Sequence, residues 1–473
     1  MSLHQDQIVA ALVALLGEDS VLHQPGDMAG YLSEPRGRFH IPAQAVALPR
    51  SVPEVQKVMA WAHENGVRIV PQAGNTGLVG GQVPFAGDEV ILSISRLKGV
   101  RNIDAAAGHM TLDAGTTLQE AHEIAEEAGM MFPLYIASQG SARIGGVLGS
   151  NAGGVQVLSY GNARELCLGV EAVLADGALY NGLNALRKDN TGYDLKDLLV
   201  GSEGTLGIIT AATLKLFPKP QGYETALLNV ASPQAALNVF AALRAQAGQA
   251  LTAFELMPRI GFDFQLKHKM IAQDPTAEPS DWYVLAELSI PQGGHSGALT
   301  EAIEALFERD LVTNGVIADS LAQREAFWVA REQMSEVQSR EGASIKHDVS
   351  VPVAAVPELI ARGSEAAQSV VPGIRPVPFG HLGDGNIHFN FSQPEGADAK
   401  RFMDEAEAVH AAIYDVVRDL GGSISAEHGI GQLKTGLLAQ VKDPVALSMM
   451  RAIKAALDPK GILNPGKLLD PGT

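Results

Sequence analysis

Three glycine-rich loops limit what this chain can fold into more than any other feature of its sequence. Glycine supplies 50 of the 473 residues, and the densest patches are VRIVPQAGNTGLVGGQVP (67–84), ASQGSARIGGVLGSNAGG (137–154) and LVGSEGTLGIIT (199–210). Because glycine has no side chain to block approach, the backbone N–H groups of such loops can surround phosphate oxygens. One such loop is equally typical of an ordinary turn, but three within one half of the chain favour an extended ligand lying along the backbone.

The two commonest nucleotide-binding motifs are absent. The sequence contains neither G-x-G-x-x-G at the start of a predicted helix nor G-x-x-x-x-G-K-[ST]. A long dinucleotide would therefore be held by several separate glycine loops.

Composition and charge exclude several functional classes. The formal net charge of -18 would repel nucleic-acid phosphates and anionic membrane surfaces. The single cysteine, Cys167, excludes an internal disulfide, and its apolar neighbours predict a buried thiol. Near the N-terminus, an amphipathic helical period that ends at Gly17 predicts neither a signal peptide nor a membrane segment. We expect a cytoplasmic protein without a nucleic-acid partner and without an integral membrane segment.

The glycine loops resemble those of a known type of flavoprotein. PQAGNTGLVGGQ, GSARIGGVLGSNAGG and GSEGTLGIIT are similar to the three FAD-contacting segments of the vanillyl-alcohol oxidase type. FGHLGDGNIH, AEHGIG and DPKGILNPGK resemble the C-terminal half of the FAD-linked D-2-hydroxyacid dehydrogenases, which include D-lactate, glycolate and D-2-hydroxyglutarate dehydrogenases. The motifs keep the family order and span nearly the whole chain.

The resemblance implies which residues contact FAD. Loop 72–82 would carry the pyrophosphate, and segment 138–154 would run along the flavin. The implied cofactor residues are Gln72, Ala73, Gly74, Asn75, Thr76, Gly77, Leu78, Gly81, Gln82, Ser138, Gly140, Ser141, Ile144, Gly145, Gly146, Asn151, Gly153, Gly154, Glu203, Gly204, Gly207, Ile208 and Asn464. Some relatives attach FAD through a histidine in the first loop, but this loop contains Asn75 and no histidine, so noncovalent FAD is expected.

Two histidines flank a predicted turn. VPVPFGH and NIHFNF alternate like strands, with Ile387 and Phe389 on one face of the second strand and His388 on the other. LGDG between them has the residues of a turn. A hairpin would bring His381 and His388 to one site, whereas a single strand would place them on opposite faces. Such a pair is most often structural or substrate-binding, and it also occurs in divalent-metal sites.

The resemblance favours the metal site. Metal-dependent members of the family coordinate through these positions, and Glu427 in SAEHGIG is the expected third ligand. Two histidines and a carboxylate leave coordination positions open and accept zinc, manganese or cobalt. We expect one divalent ion, with zinc as the first choice.

The residue after Glu427 is the candidate base. Side chains of neighbouring residues diverge in extended backbone, so Glu427 could bind metal while His428 faces substrate and flavin. A neutral histidine that titrates near physiological pH suits removal of a hydroxyl proton. We expect His428 to be the catalytic base and to contact the substrate.

Candidate substrate-binding cations lie in segment 327–352. A helical pattern would place Arg331 and Ser335 on one face, and Lys346 would lie on the alternating strand that follows. Arginine can bind a carboxylate bidentately and lysine as a point charge, although most such residues are simply solvated. The family resemblance implies that these three bind a distal carboxylate, because its D-2-hydroxyglutarate dehydrogenase-like members carry an arginine, a hydroxyl residue and a lysine in the same order. Asn390, on the His388 face, could add a donor.

The resemblance implies an α+β fold of the vanillyl-alcohol oxidase type, and composition indicates the domain boundaries. We expect an FAD-binding domain of two α/β lobes at 1–218, with the change of lobe near residue 100. An α+β substrate (cap) domain with an antiparallel sheet is expected at 219–425, and a C-terminal segment, 426–473, is expected to return to the flavin.

The expected reaction is oxidation of a D-2-hydroxy acid to the 2-oxo acid, first of all D-2-hydroxyglutarate to 2-oxoglutarate. It would combine metal-assisted proton abstraction with hydride transfer to flavin N5. Alternatives are D-lactate or glycolate dehydrogenation, a metal-dependent hydrolase and a nonenzymatic ligand-binding protein. Candidate electron acceptors are electron-transfer flavoprotein, a quinone or a cytochrome, and a homodimer is left open.

Overall fold

The computed structural model describes residues 3–276 and 278–470. The chain forms two compact units. The first combines Met1–Gly154, Gly161–Lys219 and Glu427–Thr473, and the second combines Val155–Tyr160 and Pro220–Ala426.

Helices occur along the whole described chain. They are α1 (Gln5–Leu16), α2 (Pro25–Met28), α3 (Val52–Asn65), α4 (Leu118–Glu127), α5 (Ile144–Gly149), α6 (Val157–Tyr160), α7 (Ala163–Leu166), α8 (Leu195–Leu199), α9 (Pro233–Ala247), α10 (Arg259–Lys267), α11 (Ala298–Phe307), α12 (Leu321–Glu332), α13 (Val356–Val370), α14 (Ala399–Asp404), α15 (Ala406–Asp419), α16 (Thr435–Val441) and α17 (Pro444–Leu457).

Strands alternate with these helices. They are β1 (Val21–Leu22), β2 (Ala45–Ala47), β3 (Ile69–Gln72), β4 (Val90–Ser93), β5 (Val100–Asp104), β6 (His109–Asp113), β7 (Met130–Met131), β8 (Cys167–Val173), β9 (Leu179–Asn181), β10 (Ile208–Lys215), β11 (Phe217–Pro218), β12 (Gly222–Val230), β13 (Leu251–Pro258), β14 (Trp282–Ile290), β15 (Asn314–Ile317), β16 (Ser344–Ile345), β17 (Asp348–Ser350), β18 (Arg375–His381) and β19 (Asn386–Ser392).

The first unit contains two main sheets. One has the order β1-β2-β4-β3, in which β2, β4 and β3 are parallel. The other has the order β5-β6-β10-β8-β9 and is antiparallel, while β7 pairs with β11. The first glycine loop begins at the carboxyl end of β3, where parallel sheets commonly bind ligands, and the third leads into β10.

Two sequence predictions are confirmed in the first unit. Helix α1 ends before Gly17, whose φ of 85° and backbone N–H bond to Val13 O form its C-cap. Cys167 is buried, and burial raises the pKa of its thiol to about 12. The thiol is therefore protonated and inert at neutral pH.

The second unit is built on an antiparallel sheet of order β15-β12-β14-β13-β18-β19-β16, in which β17 also pairs with β19. Side chains on one face pack against α9, α11, α13 and α15, and those on the other face pack against α10 and α12. Because both faces are covered, its central strands read as nearly continuous apolar runs, as in WYVLAELSI of β14. The expected α+β class with an antiparallel second sheet is confirmed.

The face under α12 carries unusual polar residues. Thr225, Glu255 and Glu287 are each at most 1% exposed. The sequence neighbours of Glu255 and Glu287 pack on the face covered by α9, α11, α13 and α15. Because side chains alternate along a strand, the two glutamates point to the other face, toward α12. A buried carboxylate costs several kcal/mol unless it is paired, so this face needs cations from the helix above it.

Among the described residues, no helix combines the length and the apolar composition that crossing a bilayer requires.

Candidate active site

The three glycine loops line one cleft in the first unit. The empty space that they border is about 990 Å³, which includes the part open to solvent. The predicted cofactor residues on its lining are Gln72, Ala73, Gly74, Asn75, Thr76, Gly77, Gly81, Gln82, Gly145, Gly146, Glu203, Gly204, Gly207 and Ile208. His428, the predicted base, also lines the cleft. The loops and the C-terminal segment therefore contribute to one site within this unit.

Some predicted cofactor residues are not on this lining. They are Leu78, Ser138, Gly140, Ser141, Ile144, Asn151, Gly153, Gly154 and Asn464. The lining also contains residues that were not predicted, mainly apolar neighbours of the loops and one cation, namely Pro71, Val79, Ile94, Ile136, Ala142, Arg143, Val147, Gly149, Ser150, Ala152, Leu199, Ser202 and Ile209. Apolar lining residues carry no motif, because their position depends on which loops face one another.

The first two loops touch directly. A Cβ added to Gly74 would lie 2.1 Å from the carbonyl oxygen of Ser141, and one added to Gly154 would lie 2.2 Å from that of Tyr135. These two glycines are therefore required by contact between backbone segments. Ser141 supports the first loop through this contact.

The first loop presents polar groups that the protein leaves unused. Within the described chain, the backbone N–H groups of Gly74, Asn75, Thr76 and Gly77 donate to no protein acceptor. Asn75 has a φ of 53°, and its Nδ2 donates to Gly30 O and Ser33 O, whereas its buried Oδ1 has no partner. Several unpaired N–H groups in a glycine loop fit the phosphates of a dinucleotide such as FAD.

The C-terminal segment is fixed to these loops by Glu203. The carboxylate of Glu203 accepts hydrogen bonds from the backbone N–H groups of Ile430 and Gly431, at 2.8 and 2.7 Å, and burial raises its pKa. Asn464 Nδ2 donates to Gly81 O and to Glu203 O. These contacts hold the segment that contains His428, and they give the side chains of Glu203 and Asn464 structural partners.

The predicted hairpin is present. Strands β18 and β19 are antiparallel neighbours with Phe379 opposite His388, and Leu382–Asp384 form the turn between them. The imidazole rings of His381 and His388 have their centres 5.6 Å apart. Ile387, Phe389 and Phe391 pack on the face of the sheet that is covered by α9, α11, α13 and α15, as their alternation with His388 predicts.

His381, His388 and Glu427 each offer one ligand atom, and these atoms lie within 4.8 Å of one another. Ligand atoms about 2 Å from one ion are at most about 4 Å apart, so these three groups need to close by at most about 1 Å to share one ion. Two imidazoles and a carboxylate fit zinc, manganese or cobalt.

Glu255, which was not predicted from the sequence, contacts His381. Oε2 of Glu255 accepts a hydrogen bond from Arg331 Nε, and Oε1 accepts one from His381 Nδ1, both at 2.6 Å. Burial by itself would raise the pKa of Glu255, but the charge of Arg331 and the contact with His381 hold it at about 2. A lone glutamate in the apolar strand LTAFELMP was the signal that could have found it.

The substrate-binding candidates need two corrections. Helix α12 ends at Glu332, so Ser335 lies in the turn after the helix and does not share a helical face with Arg331. Lys346 lies in the break between β16 and β17, not on a continuous strand.

Even so, the structure brings two of these candidates together. Lys346 Nζ donates to Oγ and to the carbonyl oxygen of Ser335, at 3.1 and 3.2 Å. Arg331 is buried beside Glu255, and Asn390 is buried on the same strand as His388. Asp348, two residues after Lys346, is the cross-strand partner of His388, so the lysine adjoins the strands that carry the histidines.

Comparison with known proteins decides the family. A family model described as "FAD binding domain" matches residues 43–182, and one described as "FAD linked oxidases, C-terminal domain" matches residues 219–468. The D-2-hydroxyglutarate dehydrogenase of Xanthomonas citri pv. viticola is 38% identical over 94% of this chain and 93% of its own length. This chain belongs to the FAD-linked D-2-hydroxyacid dehydrogenases.

Further relatives agree with this membership. The mitochondrial D-2-hydroxyglutarate dehydrogenase of Danio rerio is 38% identical to this dehydrogenase over 89% of the chain and 77% of the relative. A solved structure of p-cresol methylhydroxylase with substrate bound has a TM-score of 0.74 at 17% identity, covering 99% of this chain and 97% of that chain. The expected vanillyl-alcohol oxidase type of fold is confirmed, and the dehydrogenase is an FAD-linked oxidoreductase.

Proposed function

We propose that this dehydrogenase oxidises D-2-hydroxyglutarate to 2-oxoglutarate. The observation that carries the substrate choice is the pairing of Lys346 with Ser335 beside the strands of His381 and His388. A cation at that position suits a second, distal carboxylate, which D-lactate and glycolate do not have. The names of the relatives point to the same substrate.

The proposed reaction combines hydride transfer to FAD with proton transfer to His428. When bound, FAD supplies the acceptor of the Cα hydride at its N5 atom. His428 takes the proton of the substrate hydroxyl as that hydride leaves, so the alcohol loses two electrons and two hydrogens in total. Glu203 supports His428 by holding Ile430 and Gly431.

The proposed metal site would assist the proton transfer. His381, His388 and Glu427 would hold one divalent ion, with zinc proposed and manganese or cobalt as alternatives. A bound cation lowers the pKa of a hydroxyl group that it contacts. Because Glu427 and His428 are consecutive, the ligand that completes the metal set adjoins the base.

Chelation tests the metal proposal. Treatment with a strong chelator should abolish turnover while the flavin absorption spectrum stays unchanged, because the proposed ligands are not on the lining of the flavin cleft. Zinc, manganese and cobalt would then be added back separately to compare recovery. Undiminished turnover in metal-free protein would contradict the proposal.

Substrate preference is best tested at Lys346. Arg331 is a poorer choice, because Arg331→Ala would also leave the buried carboxylate of Glu255 without its cation. Loss of a charge-assisted contact in a buried site costs about 2 to 5 kcal/mol, or roughly thirty-fold to several-thousand-fold in kcat/KM. Lys346→Ala should lose this much with D-2-hydroxyglutarate and much less with D-lactate.

The experiment compares kcat/KM for D-2-hydroxyglutarate, D-malate and D-lactate in the parent, in Lys346→Ala and in Lys400→Ala. Lys400 is an exposed lysine of the second unit and serves as the control. A parent that prefers D-lactate, or a Lys346 variant that slows all three substrates equally, would remove the dicarboxylate assignment.

A metal-dependent hydrolase is not proposed, since it would leave the flavin cleft without a role. Electron-transfer flavoprotein, a quinone or a cytochrome is proposed as the electron acceptor. A cytoplasmic location also stays a prediction.

A further inference from the structure

Glu255 joins two groups that the proposed function treats separately. It lies on β13, directly across from His381 on β18, and it is 1% exposed. One carboxylate oxygen contacts Arg331 Nε and the other contacts His381 Nδ1. Both oxygens are therefore already engaged, and Glu255 is not in the group of residues able to ligate one ion.

The contact with His381 determines which ring nitrogen can meet a metal. A carboxylate accepts but does not donate, so Nδ1 of His381 must carry the proton in this contact. The metal would then be bound through Nε2. Carboxylates that accept from the second nitrogen of a ligating histidine fix the ring and strengthen metal binding, typically by about 10- to 100-fold.

The contact with Arg331 ties this arrangement to helix α12. Arg331 is buried in the last turn of the helix, and its guanidinium lies 5.0 Å from the centre of the Phe379 ring on β18. The arginine is thus held by a carboxylate and by an aromatic ring that both adjoin the histidine hairpin. Movement of Arg331 would disturb the carboxylate that orients His381.

We propose that Glu255 is a positioning residue that holds His381 in the tautomer and orientation needed to bind metal through Nε2, and that also fixes Arg331. This inference rests on the proposed metal site. It assigns Arg331 the role of counter-ion to Glu255 in addition to any contact with substrate.

A matched control lies on the next strand. Glu287 on β14 is also 1% exposed, and it accepts hydrogen bonds from Arg324 at 2.7 and 2.9 Å and from Trp328 Nε1 at 2.9 Å. It is a buried glutamate–arginine pair with the same helix, but none of its recorded partners is a histidine. Glu287→Gln therefore measures the effect of disturbing such a pair away from the hairpin.

The experiment measures zinc affinity of FAD-loaded, metal-stripped protein by competition with a chromophoric chelator. Glu255→Gln should weaken zinc binding by about 10- to 100-fold, whereas Glu287→Gln should keep the parent affinity. Retained flavin absorption and circular dichroism identify folded variants. Glu255→Asp keeps the charge but is one methylene shorter, so it cannot reach both partners and should weaken zinc binding as well.

The outcomes separate the inference from the metal site on which it rests. A parent that binds zinc, together with folded Glu255 variants of unchanged affinity, overturns the role of Glu255 alone. Equal weakening in Glu255→Gln and Glu287→Gln also overturns it, because the effect would then be structural. A parent that binds no zinc, with the same result in His381→Ala, overturns the metal site and the inference together.

Discussion

Three glutamates of this protein have specific partners for their carboxylates. Glu255 and Glu287 each have an arginine from α12, and Glu203 accepts two backbone N–H groups. His428 differs from these, because it lines the cleft formed by the glycine loops and is followed by a segment whose backbone N–H groups donate to Glu203.

The role of His428 predicts a kinetic defect without loss of metal. His428→Ala should slow flavin reduction by roughly two to four orders of magnitude, the usual effect of removing a general base. Stopped-flow absorbance would measure the rate, and metal analysis of the same sample would provide the control. Loss of metal in this variant would show that His428 is a ligand instead.

Helix α12 provides hydrogen-bond donors to buried carboxylates on two neighbouring strands of the sheet. Arg324, Trp328 and Arg331 are spaced so that they share one face of the helix, and this face covers Glu287 and Glu255. The helix ends at Glu332, and Met334, two residues later, is fully buried against Gly261 of α10. That turn carries Ser335 to Lys346.

Contact between the glycine loops predicts a steric effect on FAD binding. Gly74→Ala would place a Cβ 2.1 Å from Ser141 O, and relieving such a clash costs about 1 to 3 kcal/mol. If the first loop moves away, FAD affinity should fall by roughly tenfold or more.

Flavin fluorescence during titration of the apoprotein would measure this affinity. Gly436→Ala is a suitable control, since Gly436 lies in α16 and an added Cβ there meets nothing within 4 Å. Parent-like FAD affinity in Gly74→Ala would show that the second loop can yield without disturbing the site.

At the scale of the whole molecule, the second unit contains a charge cluster that should make unfolding depend on pH. Glu341 is contacted by Lys267 Nζ at 2.7 Å, His268 Nε2 at 2.6 Å and Arg375 Nη1 at 2.7 Å. Burial opposes ionisation of Glu341, but hydrogen bonds from Lys267, Arg375 and His268 hold its pKa at about 2. The ionised form therefore stabilises the folded state.

This pKa fixes the sign of the pH effect. A carboxylate with a lowered folded-state pKa stabilises the protein above its unfolded pKa of about 4.3, and the stabilisation disappears as the pH falls toward 2. The contribution of Glu341 to the free energy of unfolding should fall by roughly 2 kcal/mol between pH 7 and pH 3. The difference in unfolding free energy between the parent and Glu341→Gln should shrink by this amount.

Urea unfolding at pH 7, 4 and 3 would provide the comparison. Glu395→Gln is the matched control, because Glu395 also approaches Arg375 but at 3.8 Å and with a side chain that is 82% exposed. A parent-to-Glu341→Gln difference that is the same at all three pH values would mean that Glu341 is not ionised as described.

Short-range features of this protein could be predicted from the sequence. The turn at LGDG, the alternation of Ile387, His388 and Phe389, and the helix end at Gly17 depend on residues only a few positions apart. Backbone preferences and side-chain periodicity act over that range, so they are visible in one sequence. The glycine loops were visible for the same reason, and their family resemblance correctly indicated FAD.

Contacts between residues that are far apart in the sequence could not be predicted from local patterns. His381 and Glu255 are 126 positions apart, Arg331 and Glu255 are 76 apart, and Ile430 and Glu203 are 227 apart. Those contacts depend on the register of β13 against β18 and on how α12 lies on the sheet, which no local pattern encodes. For this reason the sequence predicted His381 as a metal ligand but not Glu255, the carboxylate buried against it.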